Sequence, residues 1–133
     1  AVNVFEVAKE CGVKHFIWSG LDNTAKYADF NADKEYKVID KSNGYVVPHF
    51  DAKGEVCDVM NAQEDMPIDF TFMPFYYQNF FGMKPQKGKD GEYALYLPLA
   101  GKPNHMVSVD DCGIVIAPLF GRLPTMTKKT VPW

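Results

Sequence analysis

The sequence has little of what marks several common classes of protein. Its net charge is −3, so it provides no basic surface of the kind that binds nucleic acid directly. It contains no apolar run near the roughly 20 residues of a membrane span. Cysteine is scarce, and Cys11, Cys57 and Cys112 are too far apart for a metal site. They are typical of small buried side chains in a reduced, intracellular protein.

Apolar residues, in contrast, are plentiful. They form 47% of the 133 residues and include ten Phe, which is enough for the core of one domain. The chain starts at Ala1 and enters at once a run of apolar residues at helical spacing, with no capping residue before it. We therefore expect the chain to be part of a larger fold, and a processed or naturally short product is the alternative.

The first 73 residues alternate between helix and strand patterns. A helix is predicted up to Cys11, with Gly12 as its terminating residue, followed by a buried strand over residues 13–20. A long polar loop, with a short helix near residues 23–30, leads to a second helix that Pro48 begins and that ends near residues 62–65. A strand follows at residues 68–73. This order predicts an α/β fold with two parallel strands, in which ligands bind beyond the carboxyl ends of the strands.

The second helix carries the first candidate functional pair. His49 and Lys53 are four residues apart and lie on one face of the helix, one turn from each other. An imidazole and a cation in this arrangement can reach a common anionic or hydroxylic group. The alternative is that both residues belong to the solvated face of the helix. His15, at the start of the first strand, is interpreted as a packing or edge histidine because the sequence places no second ligand beside it.

The remaining faces of the second helix predict its packing. Ala52, Val56, Val59 and Met60 form a stripe at helical spacing that we expect to pack on the sheet. Gly54 costs about 1 kcal/mol relative to Ala inside a helix. We expect that cost to reflect a close approach of the helix backbone to a neighbouring strand.

The second half of the chain is richer in turns. The aromatic segment 75–82 either offers rings and amides to a ligand or caps the core, and composition alone favours the core. Short strands are predicted at residues 93–98 and 105–109. Asp110 is interpreted as the N-cap of a helix that runs through Leu119, an explanation we prefer to a catalytic pair of Asp110 with Asp111. The residues from Gly121 to Trp133 are predicted to be a tail.

Several of these segments together resemble the NmrA-like family, an atypical branch of the short-chain dehydrogenase/reductase superfamily. The matching blocks, in the same order along the chain, are residues 13–21 (VKHFIWSGL), 48–56 (PHFDAKGEV), 76–81 (YYQNFF) and 106–113 (MVSVDDCG). The resemblance covers nearly everything from Val2 to Phe120. It implies a Rossmann fold that binds NADP(H), joined to a smaller substrate-type domain.

The resemblance also implies how the chain divides. Residues 1–82 correspond to the C-terminal half of a Rossmann-like NAD(P)-binding domain with a partial parallel sheet. Residues 83–120 correspond to part of a smaller α+β substrate or partner subdomain, and residues 121–133 to a divergent tail. No Gly-x-x-Gly-x-x-Gly occurs, so the turn that cradles the cofactor phosphates is missing. We therefore expect the 133-residue chain alone to bind NADP(H) weakly or not at all.

The family's functional positions fall on a small set of residues. Lys53 occupies the lysine position of the superfamily's Tyr-x-x-x-Lys pair, which implies a hydrogen bond to the nicotinamide ribose. His49 occupies the tyrosine position, and Ser19 lies near the superfamily's serine. The resemblance thus implies three catalytic candidates: Lys53, His49 and Ser19. Cofactor contacts are implied for Lys53 and for the family's aromatic-x-x-Asn loop, which falls on Tyr76, Tyr77, Gln78 and Asn79.

Three functions remain open on this basis. The family role favours a sensor of the NADP(H) redox state that acts through a regulatory protein partner, in the cytoplasm or also in the nucleus. The second is an NADPH-dependent reductase of the isoflavone-reductase or quinone-reductase type, and the third is a truncated chain that only binds partners. Because His49 stands in place of the tyrosine that the superfamily uses as proton donor, we expect slow or absent turnover of ordinary carbonyl and quinone substrates.

Overall fold

The computed structural model describes residues 1–26, 38, 40–97, 99, 101–121 and 129–132, the last four by their backbone only. The first half follows the predicted order: α1 Val2–Glu10, β1 Phe16–Gly20, α2 Pro48–Asn61 and β2 Ile68–Phe72. Residues 24–26 are helical, and the rest of the short helix predicted at residues 23–30 lies outside the described residues. The predicted α/β class with parallel strands is confirmed.

Three parallel strands form the main sheet, in the order β1-β2-β7, where β7 is Lys129–Pro132. Strand β2 lies between the others, and its Thr71 pairs with Ser19 on one side and with Val131 on the other. The predicted tail is therefore wrong for Lys129–Pro132. The reason is that the pairing of β7 depends on β2, which is distant in sequence, and four residues give no period of their own.

Helices α1 and α2 pack on this sheet, and the hydrophobic core lies between the helices and the strands. The buried cluster comprises Phe5, Cys57, Met60, Met66, Ile68 and Phe70. Gly12 ends α1 as predicted, with a φ of 70°, a conformation that favours glycine. Among helices in the part of the chain that the structure describes, none has the length and apolarity needed to cross a membrane.

The predicted packing stripe of α2 is confirmed for two residues and wrong for the other two. Met60 is buried and the half-buried Val56 packs against the core, whereas Ala52 and Val59 are exposed. The buried face of α2 instead comprises Asp51, Gly54, Cys57 and Met60. The error arose because Asp51 and Gly54 are not apolar, so an apolar stripe could not reveal the face to which they belong.

The second half contains shorter elements. Strand β3 Phe75–Tyr76 leads into a 3₁₀ helix, Tyr77–Phe81, and pairs in parallel with β6 Met106–Val107. Strands β4 Gln86–Lys87 and β5 Tyr93–Ala94 form an antiparallel pair. Of the strand predicted at residues 93–98, Tyr93 and Ala94 form β5, residues 95–97 are not in a strand, and residue 98 lies outside the described residues.

Helix α3 spans Cys112–Phe120 and follows a 3₁₀ turn, Val109–Asp111. The prediction that Asp110 caps this helix is wrong. Ser108 caps the 3₁₀ turn, and its Oγ accepts the Asp110 backbone N–H at 3.3 Å. Asp111 is the N-cap of α3 by position and makes no side-chain capping bond. The 3₁₀ turn therefore moves the N-cap position by one residue, from the predicted Asp110 to Asp111.

Candidate functional site

A cavity of about 560 Å³ lies beyond the carboxyl ends of β1 and β2. This volume is in the range of small-molecule pockets, and this edge of a parallel sheet is where α/β proteins bind ligands. Four parts of the chain form its walls: the end of β1, the first turns of α2, the segment that follows β2, and residues 103–105. The lining residues are Ser19, Gly20, Leu21, His49, Phe50, Lys53, Met73, Pro74, Phe75, Tyr76, Asn79, Pro103, Asn104 and His105.

Most of the residues singled out from the sequence meet in this cavity. The structure brings together Ser19, His49, Lys53, Tyr76 and Asn79. They come from three separate segments of the chain, so local sequence alone could not have placed them together. Tyr77 and Gln78 are not among the described residues that line the cavity. Tyr77 is half exposed to solvent, at 50% of its surface.

The first turn of α2 is held by a buried carboxylate that the sequence analysis did not identify. Asp51 is fully buried, and its Oδ2 accepts the backbone N–H groups of Val46 at 2.7 Å and Val47 at 2.9 Å. Its Oδ1 accepts the Thr24 hydroxyl at 2.6 Å and the Ala25 N–H at 3.0 Å. Asp51 therefore ties the segment after β1 to the start of α2, which carries His49 and Lys53.

The charge of Asp51 is stabilised by these same bonds. Burial by itself raises the pKa of the carboxyl, because it disfavours the charged form. Hydrogen bonds from Thr24 and from the backbone of Val47, Ala25 and Val46 outweigh burial, so the pKa lies below its ordinary value. The carboxylate is thus ionised at neutral pH and serves as an acceptor only.

Close backbone contact explains Gly54. A Cβ added there would lie 2.5 Å from the Cα of Asn23, in the segment that follows β1. The close approach predicted for Gly54 is confirmed, but its partner is this loop and not a strand. Gly20, which lines the cavity, is likewise packed against the buried Cys57 side chain. Helix α2 and the end of β1 therefore form one tightly packed wall.

The segment after β2 and the residues around β6 are held together by Gln78. Its Nε2 donates to Ser108 Oγ at 2.8 Å, and its Oε1 accepts the Val109 N–H at 3.0 Å. Both ends of the amide are thus used inside the protein. Next to this contact, the Phe75 N–H donates to the His105 carbonyl oxygen at 3.3 Å. These bonds join the segment after β2 to the residues on both sides of β6.

Lys53 and His49 reach the cavity from α2 in different environments. Lys53 is half-buried and forms no ion pair with any residue that the structure describes. His49 is more exposed, and its ring lies 5.0 Å from the Phe50 ring at an interplanar angle of 74°. Among the described residues, Lys53 therefore presents a cation without an ion-pair partner, and His49 an imidazole, to the cavity.

Sequence reasoning missed the wall formed by Pro103, Asn104 and His105. The pattern there was interpreted only as a turn followed by a short strand, and no local signal marks a ligand contact. The link is the β3–β6 pairing, which brings Met106 beside Phe75. Because that pairing spans about thirty residues, only the fold could reveal it.

His15 lies at the other end of the sheet, away from the cavity. Its Nε2 is 3.1 Å from Asp69 Oδ2, and its ring lies against the Phe120 ring at 6.2 Å. The predicted packing role is confirmed. Within the described ranges, no three His, Cys, Asp or Glu residues come together as a metal site.

The parallel sheet, the helices that cover it and the cavity at its carboxyl edge define a partial Rossmann-like α/β unit. The model of the NmrA-like family matches residues 2–132, and the chain belongs to this family. The chain is also 24% identical, over 136 aligned positions, to an NmrA-like family domain-containing protein of Dictyostelium discoideum. That alignment covers 99% of this chain but only 42% of the relative, so the chain spans less than half of the relative's length.

Proposed function

We propose that the cavity holds the nicotinamide end of NADP(H) in a full-length protein of which this chain is a part. The observation that supports this most directly is the convergence of Ser19, Lys53 and Asn79, from three segments, on one cavity at the carboxyl edge of the sheet. Membership of the NmrA-like family supports the choice of a dinucleotide as the ligand.

The lining residues are chemically suited to that end of the cofactor. Lys53 would donate hydrogen bonds to the ribose hydroxyls, because its ammonium has three donors and forms no ion pair with the described residues. Asn79 would bond the carboxamide, and Tyr76 would lie beside the ring. The cofactor, when bound, supplies a hydride. Contacts to the pyrophosphate would come from other parts of the full-length protein, so we expect the 133-residue chain alone to bind weakly or not at all.

We propose redox sensing as the role of this binding, with a regulatory protein as the partner that responds to it. Support comes from the resemblance, which assigns His49 to the position of the superfamily's proton-donating tyrosine, so that the usual proton donor of a reductase is replaced. The second candidate is an NADPH-dependent reductase of quinones or related carbonyl compounds. It is favoured by the fact that His49 does line the cavity, where an imidazole can act as general acid.

Two adjacent aromatic residues give a matched test of the binding site. Tyr76 lines the cavity, whereas Tyr77 is half exposed and lies outside it. We expect Tyr76→Ala and Asn79→Ala to weaken NADPH binding to the full-length protein about three- to tenfold, the effect of one neutral hydrogen bond or a comparable contact. Tyr77→Ala should leave the affinity near that of the wild type. The measurement is calorimetric titration with NADPH.

The pattern across these variants decides between two interpretations of the aromatic segment. Equal affinities in all three variants and the wild type would mean that the segment only caps the core, and the proposed site would be wrong. A loss in Tyr77→Ala equal to that in Tyr76→Ala would mean that the fold, and not the cavity, had been disturbed.

A further inference from the structure

The cavity is lined by donor groups beyond the one that the proposed function assigns to the ribose. Besides the Lys53 cation, His49 from α2 and His105 from the segment before β6 line it. Of the described residues that line the cavity, none is Asp or Glu. Asp51 is on the same helix as Lys53, but its carboxylate is buried and bonded to residues 24–25 and 46–47.

The position of His105 is fixed by the backbone. Its carbonyl oxygen accepts the Phe75 N–H, and the next residue, Met106, pairs with Phe75 in the β3–β6 ladder. Gln78 bonds the segment just after β6, so the turn that carries Asn104 and His105 is anchored on both sides of β6. The His105 side chain is exposed to solvent and makes no hydrogen bond or ion pair with any residue that the structure describes. Its ring is therefore free to meet a ligand.

The lining also includes three aromatic residues, Phe50, Phe75 and Tyr76. The Tyr76 hydroxyl is oriented by Met73, whose Sδ accepts it at 3.4 Å. Rings suit the faces of a conjugated molecule, whereas cations and imidazole N–H groups suit a carboxylate at its edge.

We propose that the cavity also binds a small aromatic or conjugated carboxylate, with Lys53 and His105 as the groups that select its negative charge. This inference rests on the proposed function only in placing the carboxylate next to the nicotinamide end. The cavity itself is formed by residues of this chain. The chemical class of the second ligand is thus a planar carboxylic acid, and His105 is a specificity-determining residue.

The probe that isolates charge is the pair benzoate and benzamide, which have nearly the same shape. Benzamide also resembles the neutral nicotinamide ring with its carboxamide. A cavity that accepts only the cofactor would therefore bind benzamide at least as tightly as benzoate. The 133-residue chain is titrated with each compound at low salt, and ¹H–¹⁵N NMR shifts report where and how tightly it binds. We expect benzoate to bind about tenfold more tightly than benzamide, with chemical-shift changes at the residues that line the cavity.

Two variants identify the role of His105. His105→Asn should weaken benzoate binding about threefold or more and leave benzamide binding unchanged. Lys102→Gln is the matched control, because Lys102 is an exposed cation of the same turn that does not line the cavity. It should leave both affinities unchanged. Equal effects of His105→Asn and Lys102→Gln on benzoate would overturn the assignment to His105.

Inorganic phosphate is the third probe, because a phosphate group would use the same donors. Phosphate that binds as tightly as benzoate would show a phosphate subsite and overturn the planar carboxylate. Benzamide that binds as tightly as benzoate would also overturn it. Failure of the proposed function is seen separately: full-length protein that prefers benzoate yet does not bind NADPH would refute the dinucleotide proposal and leave the carboxylate site intact.

Discussion

Replacing Asp51 by Asn tests the hydrogen-bonded link that positions the first turn of α2. The wild-type carboxylate accepts four hydrogen bonds while fully buried. The amide of Asn keeps only one acceptor oxygen. Its least costly orientation keeps the oxygen toward Val46 and Val47 and turns the NH₂ toward Thr24, whose hydroxyl can accept. The Ala25 N–H then has no acceptor in that orientation.

The number of hydrogen bonds lost sets the size of the destabilisation. A hydrogen bond to a charged group is worth about 1.5–3 kcal/mol, and the remaining bonds lose their charge assistance. We therefore expect Asp51→Asn to lower the free energy of unfolding by about 2–4 kcal/mol. That is a large share of the roughly 5–15 kcal/mol that stabilises an ordinary domain. Urea unfolding at pH 7, followed by circular dichroism, measures the difference.

Asp58→Asn is the matched control on the same helix. Asp58 forms an exposed ion pair with Lys26 at 2.7 Å, a contact worth less than about 1 kcal/mol. The pH dependence adds a second check, because the pKa of Asp51 is lowered from its ordinary value of 3.8. Its stabilisation is complete above that value and is lost as the pH falls below it, so the wild type should approach Asp51→Asn in acid. Equal losses in both variants at pH 7 would refute the reasoning.

Two further predictions concern packing and chemistry. Gly54→Ala should destabilise the protein by about 1–3 kcal/mol through its contact with Asn23, whereas Gly113→Ala, in open space on α3, should stabilise it by up to about 1 kcal/mol; urea unfolding compares them, and equal effects would contradict the close approach. Full-length protein should oxidise NADPH slowly or not at all with a panel of quinones and aldehydes, and His49→Ala should bind NADPH nearly as well as the wild type. Robust turnover that disappears in His49→Ala would make the protein a reductase instead of a sensor.

Sequence patterns predicted the elements whose pattern is local. The spacing of apolar residues, Gly12 and Pro48 located α1, β1, α2 and β2 to within a few residues. The resemblance to the NmrA-like family then indicated which residues to seek at the site. Ser19, His49 and Lys53 do line one cavity, and their proposed roles stay predictions.

What could not be predicted depends on partners far along the chain. Strand β7 forms by pairing with the edge of β2. Residues 103–105 reach the cavity because β6 pairs with β3. Asp51 was missed for a related reason. A single carboxylate in a helix is normally predicted to lie on the solvated face. Asp51 is buried instead because donors from residues 24–25 and 46–47 bind it, and the spacing of residues along α2 does not reveal those donors.

Lys53 is the residue that we propose holds the nicotinamide end of a dinucleotide in this cavity. Calorimetric titration of the full-length protein with NADPH, for the wild type, Lys53→Ala and the exposed control Lys84→Ala, tests this most directly. We expect about a tenfold or greater loss of affinity in Lys53→Ala, the effect of losing hydrogen bonds from a charged donor, and no change in Lys84→Ala. Wild-type affinity in Lys53→Ala would contradict the proposed role of Lys53.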